Sequence, residues 1–314
     1  MSMLIETLDL TKKYRNQNGH YAINEVNLAI PKGQLYGLVG PDGAGKTTTL
    51  RILSTVMRQT SGSARVAGFD VDKQAEQARP RIGYMPQNFS LYPDLSVIEN
   101  LRFFAELNQV SPKKQTTRIP EMLDFTRLDR FKKRRAHNLS GGMKKKLALA
   151  CALIHEPEVL LLDEPSTGVD PVSRRELWLI LSDVVQQGVT VLVSTPYMDE
   201  AERCHQVGIL YEGKILASGS PTELEAELPF DILEVKAHPR KTLRKVIAES
   251  QDGIVRWRPV GDRMRLSVKD YRKSERVLLK DLKLAKAEVG ICRQAKSTME
   301  DVFIHLVESK RETA

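Results

Sequence analysis

The 314-residue chain is poor in the features that mark several common classes of protein. Its three cysteines, Cys151, Cys204 and Cys292, form no Cys-x-x-Cys pair, which excludes a disulfide scaffold and a thiolate metal site. Buried free thiols in a reducing compartment are expected instead. The six histidines make no His-x-x-His or His-x-x-x-His cluster, so no transition-metal centre is expected. No apolar run reaches the roughly 18 to 20 residues that cross a bilayer. Met1 to Tyr14 has no apolar stretch followed by a cleavage site, so no signal peptide is expected either. Internal repeats and low-complexity segments are also missing. What remains, 41% hydrophobic and 28% charged, is the composition of a soluble globular protein long enough for two domains.

Charge is unevenly spread. The net charge is +8, and from Pro229 to the end there are 20 Lys and Arg against 13 Asp and Glu, so the rest is almost neutral. This asymmetry puts a domain boundary near 227–230 and predicts two domains, 1–228 and 229–314. A basic tail is suited to nucleic acid, anionic lipid or an acidic partner. The acids mixed into it favour an ordinary solvated surface.

The most informative residues are Gly40-Pro-Asp-Gly-Ala-Gly-Lys-Thr-Thr48. They fit Gly-x4-Gly-Lys-Ser/Thr, the loop that cradles the phosphates of a nucleoside triphosphate. The apolar run Gln34 to Val39 supplies the required strand and Thr49 to Val56 a helix start. Glycines let successive backbone N–H groups turn inward, and the helix N-terminus adds partial positive charge. Lys46 would reach the β- and γ-phosphates and Thr47 would hold Mg²⁺.

Strands and helices alternate after this loop, which implies an α/β fold with a parallel sheet and a site beyond the strands' carboxyl ends. Short strands are expected in Met3 to Asn27, around an Asn16 to Gly19 turn, and at 65–68, 81–84, 159–162 and 189–194. Helices are expected at 97–107, 120–127, 142–155 and 173–186. The tail reads β-α-β-β-α-β (231–236, 239–249, 254–258, 263–268, 271–283, 288–293), a split-βαβ ferredoxin-like order, and a last helix covers 298–307.

Two further segments carry chemistry. Val159-Leu-Leu-Leu-Asp163-Glu164 is a buried strand delivering two carboxylates, costly unless a metal and donors satisfy them. Asp163 suits Mg²⁺ ligation and Glu164 suits orienting an attacking water. Leu139-Ser-Gly-Gly-Met143 opens a helix with Ser140 as a good cap, and its glycines let a phosphate approach.

Together these segments resemble the ATP-binding subunit of an ABC transporter, over about Leu4 to Leu228. The resemblance implies a P-loop domain with an antiparallel β subdomain and a helical subdomain, ATP and Mg²⁺ as ligands, and ATP hydrolysis coupled to transport. By position, Gly40, Pro41, Asp42, Gly43, Ala44, Gly45, Lys46, Thr47 and Thr48 would cradle the nucleotide. Tyr14 matches the aromatic that stacks on adenine. Gln87, in Met85-Pro-Gln-Asn88, matches the glutamine that touches Mg²⁺ and water. Asp170 matches the loop that communicates across a dimer. In this family Ser140, Gly141 and Gly142 face the other subunit's nucleotide, so each site is shared. Phe89 to Ser96 is where the permease would dock, and the basic run Arg130 to Arg135 reads as a solvated face.

One departure stands out. The family has a histidine after the strand that follows the dimer loop, where it contacts the γ-phosphate; here Val191-Leu-Val-Ser-Thr-Pro196-Tyr-Met-Asp-Glu200 puts proline there. Proline has no side-chain donor and no N–H, and it fits a helix's first turn. This predicts a weakened own site, and favours pairing with a different ATP-binding subunit over a homodimer. Met143 followed by Lys144-Lys-Lys146, and the ending Met299-Glu-Asp-Val-Phe-Ile-His305, resemble the ABC-2-type export branch and its multidrug exporters with two unequal ATPase halves. The implied partners are ABC-2-type permeases and a second ATP-binding subunit, not nucleic acid. The implied location is peripheral, on the cytoplasmic face of the bacterial inner membrane. Two alternatives remain: a regulatory partner that binds ATP but hydrolyses little, and a soluble non-transport ABC ATPase, which would usually carry a coiled-coil insertion or two modules.

Overall fold

The computed structural model describes residues 2–14, 21–88, 91–250 and 253–312. The Asn16 to Gly19 turn, Phe89 and Ser90 lie outside them. The chain divides into two compact units, Met1–Pro221 and Thr222–Ala314. The division falls before the 228/229 boundary read from charge, and places all but the first residue of the helix Pro221–Ala226 in the second unit.

The first unit contains two sheets. Strands β1 (Met3–Lys13) and β2 (Tyr21–Pro31) are long antiparallel neighbours, where shorter strands were expected. Strand β3 (Leu35–Val39) enters the second sheet. Strand β4 (Ser61–Val66) and the short edge strand β5 (Phe69–Asp70) complete the first, in the order β2-β1-β4-β5. The second sheet adds β6 (Ile82–Met85), β7 (Val159–Asp163), β8 (Thr190–Thr195), β9 (Gln206–Tyr211) and β10 (Lys214–Gly219) in the order β10-β9-β3-β8-β7-β6. Its pairs are parallel except β9 with β10. Strands β3, β7 and β8 are buried at every residue, which is why they read as unbroken apolar runs rather than alternating ones. The β9–β10 hairpin was not foreseen: its turn is Glu212-Gly213 with φ of 48° and 76°, a left-handed pair in which Glu replaces the usual Asn or Asp.

The helix after the phosphate loop is Lys46–Leu53, beginning earlier than the sequence suggested. The helical part comprises Val97–Leu107, Pro112–Phe125 and Gly141–Leu153. The middle helix begins at Pro112, not at Pro120. Ser111 caps it by accepting from Lys114 N, and Pro112 takes the first helical position. Pro120 sits inside it on an exposed turn, where water can take the carbonyl that loses its partner. Among the described residues no helix is long and apolar enough to cross a membrane. All three cysteines are free; Cys151 and Cys204 are buried, but Cys292 is only half-buried.

The second unit has the expected order: β11 (Asp231–His238), a helix Arg240–Glu249, β12 (Ile254–Val260), β13 (Arg263–Val268), a helix Tyr271–Leu284 and β14 (Glu288–Ala295). The sheet order β12-β13-β11-β14, antiparallel throughout, is that of a ferredoxin-like fold. One sheet face packs Leu233, Val235, Met264 and Leu266 against Leu243, Ile247, Leu278 and Leu282 of the two helices.

The terminal helix Met299–Glu312 is tied to the sheet by ion pairs. Asp301 accepts from Arg265 Nη2 at 2.6 Å and from Arg258 Nη2 at 3.1 Å, and Asp301 and Arg265 are both buried. Burial pushes the Asp301 carboxyl up, but Arg265, Thr298 and Arg258 outweigh it and hold its pKa below the ordinary value. A carboxyl lowered on folding stabilises above its unfolded pKa and loses that contribution as pH falls through the folded value. Asp301→Asn removes the nearer of the two counter-charges of the buried Arg265, leaving Glu234 at 3.4 Å, and is expected to cost the second unit about 2 kcal/mol at neutral pH. Urea titrations at pH 7 and pH 3 check this: the gap between wild type and variant narrows at the acid end.

Candidate nucleotide site

The site lies where β3 and β7 end. Gly40 N donates to Thr195 O at 3.3 Å, which pins the start of the loop to the end of β8. Gly40 and Gly45 are required by space. A Cβ on Gly40 would stand 2.0 Å from Leu210 O, and one on Gly45 would stand 2.4 Å from Ala22 O. Gly45 also has φ of 110°, so it caps the helix Lys46–Leu53 in a conformation that other residues avoid. Lys46 and Thr47 therefore occupy the first turn, where the helix N-terminus favours anions.

Lys46 is buried and folded onto its own loop. Its Nζ donates to Gly40 O at 2.8 Å and Pro41 O at 3.0 Å, and lies 3.4 Å from Glu164 Oε1. The other Glu164 oxygen accepts from Gln87 Nε2 at 2.9 Å and from Thr167 Oγ1 at 3.3 Å. Thr47 Oγ1 donates to Asp163 Oδ1 at 3.1 Å. Tyr14 OH sits 3.4 Å from Thr48 Oγ1. Tyr14, Asp42, Gly43, Gly45, Lys46, Thr47, Thr48, Gln87 and Glu164 line one cleft of about 360 Å³. Gly40, Pro41 and Ala44 do not line it; the first two hold Lys46 through their carbonyls, and Ala44 O accepts from Gly213 N at 3.0 Å.

The reading from sequence missed Ser194. It faces Asp163 in the parallel register of β7 and β8. Its hydroxyl donates to Asp163 Oδ1 at 2.6 Å, and Glu164 N donates to Ser194 Oγ at 3.1 Å. The available signal was a hydroxyl at the end of an apolar strand. Glu164 has φ of 48°, a strained left-handed backbone that aims its side chain back toward the loop.

Ser140, Gly141, Gly142 and Asp170 do not join this cleft. Ser140 caps the helix Gly141–Leu153, accepting from Met143 N at 3.3 Å. A Cβ on Gly142 would meet Ser173 Cβ and Oγ at 2.4 Å, so this glycine allows the helix Pro171–Gln186 to approach closely. Asp170 caps that second helix through Val172 N and Ser173 N, contacts that lower its pKa, Ser173 first. Pro196 is half-buried and stands outside the short helix Met198–Ala201, whose cap is Tyr197. The expected place in the helix's first turn is therefore corrected.

Comparison with known proteins agrees with this geometry. The family profile described as ABC transporter matches residues 23–167. The chain is 44% identical over 225 residues to the "Probable multidrug ABC transporter ATP-binding protein YbhF" of Escherichia coli, covering 71% of this chain and 38% of that protein. It thus spans well under half of that relative's length. It is 38% identical over 249 residues to the "Nod factor export ATP-binding protein I" of Cupriavidus metallidurans, covering 79% of this chain and 81% of that one. Among solved structures, a dimeric post-hydrolysis state of an ATP-binding cassette bound to ADP and Pi aligns with a TM-score of 0.64 at 26% identity, covering 69% of this chain and 98% of that one. With its phosphate loop, paired carboxylates and Ser-Gly-Gly helix in this arrangement, the chain belongs to the ABC transporter family as an ATP-binding subunit.

Proposed function

We propose that this subunit binds and hydrolyses ATP to power an exporter, working beneath ABC-2-type permeases with a second, unlike ATP-binding subunit. The observation that carries the reading is the convergence of Lys46 and Gln87 on the two oxygens of Glu164, at the mouth of the phosphate cleft. An entering triphosphate competes with Glu164 for Lys46. Glu164 is then left to accept from Gln87 and to orient water toward the γ-phosphate. Tyr14, at the cleft's edge, suits stacking on adenine.

The residues also fit Mg²⁺, a hard cation that takes oxygen ligands. Asp163 Oδ2 is buried and has no hydrogen-bond partner, beside the hydroxyl of Thr47. Thr47, Asp163 and Gln87 would hold the ion. When bound it would neutralise charge building on the phosphate oxygens.

Export is supported by the names of the relatives, one of a multidrug ABC transporter and one of Nod factor export, and points to small amphipathic cargo selected by the permease. Peripheral attachment to the cytoplasmic membrane face would come through that permease. A cleft of about 560 Å³ between the core and the helical part includes Val56, Phe104 and Leu107. Val56 is 67% exposed and Leu107 64%, an apolar pair suited to a docked permease helix. It adjoins the helix that follows Phe89 to Ser96. The second unit, 222–314, would be accessory to this engine.

Pro196 supports the unlike partner. Ser140 to Gly142 would complete the companion's site, while the site on this chain's own loop binds ATP and turns it over slowly. The same residue favours a second reading, a regulatory subunit with little hydrolysis of its own. Nucleotide binding tests what the readings share. Lys46→Ala removes the charged donor and is expected to weaken ATP binding about 10- to 100-fold, measured with a fluorescent ATP analogue in Mg²⁺. Unchanged affinity would sink the assignment of the cleft. Fast, equal turnover at both sites of a homodimer would sink the asymmetric pairing.

A further inference from the structure

The sequence Lys144-Lys-Lys146 reads as one basic run, but the helix points its members three ways. Lys144 is exposed, while Lys146 is buried and paired with Glu176. Lys145 is half-buried, and its Nζ donates to the backbone carbonyl of Gln87 at 3.2 Å. The side chain of that same Gln87 donates to Glu164 Oε2 at 2.9 Å, and Glu164 Oε1 faces Lys46. A continuous chain, Lys145–Gln87–Glu164–Lys46, thus links the Ser-Gly-Gly helix to the phosphate loop. Gln87 is its hinge. It lines the nucleotide cleft on one side, and on the other a cleft of about 390 Å³ walled by His137, Gly141, Lys144 and Lys145.

We propose that Lys145 is a positioning residue for Glu164, acting through Gln87: its ammonium holds the Gln87 carbonyl and so sets where the carboxamide meets the carboxylate. This rests on Glu164 being the group that orients water. A cation suits the task because a charge-assisted hydrogen bond is stronger than a neutral one. Burial lowers the pKa of Lys145, and the nearby charges of Glu164 and Asp163 act in the opposite sense. The arrangement gives the helix offered to a partner's nucleotide a direct hold on the chain's own carboxylate.

The 314-residue chain tests this by steady-state ATP hydrolysis. Lys145→Met is expected to lower kcat about tenfold with KM for ATP within about twofold, and Lys145→Arg, which keeps the cation, to stay within about threefold of wild type. In a Gln87→Ala background Lys145→Met should add less than about twofold, since both changes break one chain. A wild-type kcat in Lys145→Met, or a full tenfold loss on top of Gln87→Ala, overturns the proposal. Amide hydrogen exchange at residues 85–88 gives a readout independent of turnover: faster exchange in Lys145→Met supports the hold on Gln87, and identical exchange overturns it. Glu164→Gln separates the two readings. If that variant hydrolyses ATP normally, the role of Glu164 is wrong; if it is inactive while Lys145→Met is fully active, only the role of Lys145 is.

Discussion

Glu164→Gln is expected to lower single-turnover ATP hydrolysis about 10²- to 10³-fold while leaving ATP bound. The substitution keeps the shape of the side chain and removes its charge and one acceptor. Gln87 Nε2 and Thr167 Oγ1 both donate to Glu164 Oε2, so a carboxamide there must turn an oxygen toward them and its NH₂ toward Lys46. The water-orienting acceptor and the ion pair to Lys46 are lost together. The backbone should not move, because the left-handed residue is fixed from outside its side chain. Glu164 N donates to Ser194 O at 3.2 Å as well as to the Ser194 hydroxyl. The loss should therefore fall on the chemical step and spare binding. Rapid-quench hydrolysis beside titration of a fluorescent ATP analogue reads the two separately. Retention of more than about a tenth of the wild-type rate would remove Glu164 from the centre of the mechanism.

The parts of this site that were legible in the sequence are those whose chemistry forces a local pattern. The phosphate loop needs glycine at Gly40 and Gly45 because carbonyls stand within clash distance of any Cβ there. A strand buried on both faces must be apolar until it meets the ligand, so β7 announces Asp163 and Glu164 at its end. The alternating order of the second unit showed through because its helices and strands each bury one face. What stayed hidden depends on contacts far apart in sequence. Ser194 matters through the register of β7 with β8, 31 residues away from Asp163. Lys145 read only as one member of a basic run until the packing of its helix set it beside Gln87, 58 residues earlier. The start of the helix at Pro112 was missed for a local reason: Pro120 read as a helix's first residue, yet it is carried inside the helix on the solvent side.

Pro196→His is expected to raise hydrolysis at the chain's own site about 10- to 100-fold, the lower part of the worth of one transition-state donor. The position can accept the change. Pro196 precedes the helix Met198–Ala201, so no helical hydrogen bond depends on its fixed φ. The turn around it is held by other groups. Tyr197 N donates to Thr195 Oγ1 at 3.1 Å, Thr195 Oγ1 donates to the buried Glu200 at 2.5 Å, and Arg174 lies 2.7 Å from the other Glu200 oxygen. The end of β8 is also bonded to the start of the phosphate loop through Thr195 O and Gly40 N. A histidine two residues after Ser194, which itself touches both Asp163 and Glu164, would return a donor to the γ-phosphate side. Pro196→Ala restores the backbone N–H but supplies no side-chain donor and should show no gain, which separates the histidine contact from relief of the proline. If Pro196→His is no faster than Pro196→Ala in single-turnover assays, proline does not weaken the site. The case for an unlike partner then loses its main support. If the gain is found, this chain holds an otherwise complete site with one contact missing, and the unlike companion supplies the fast one.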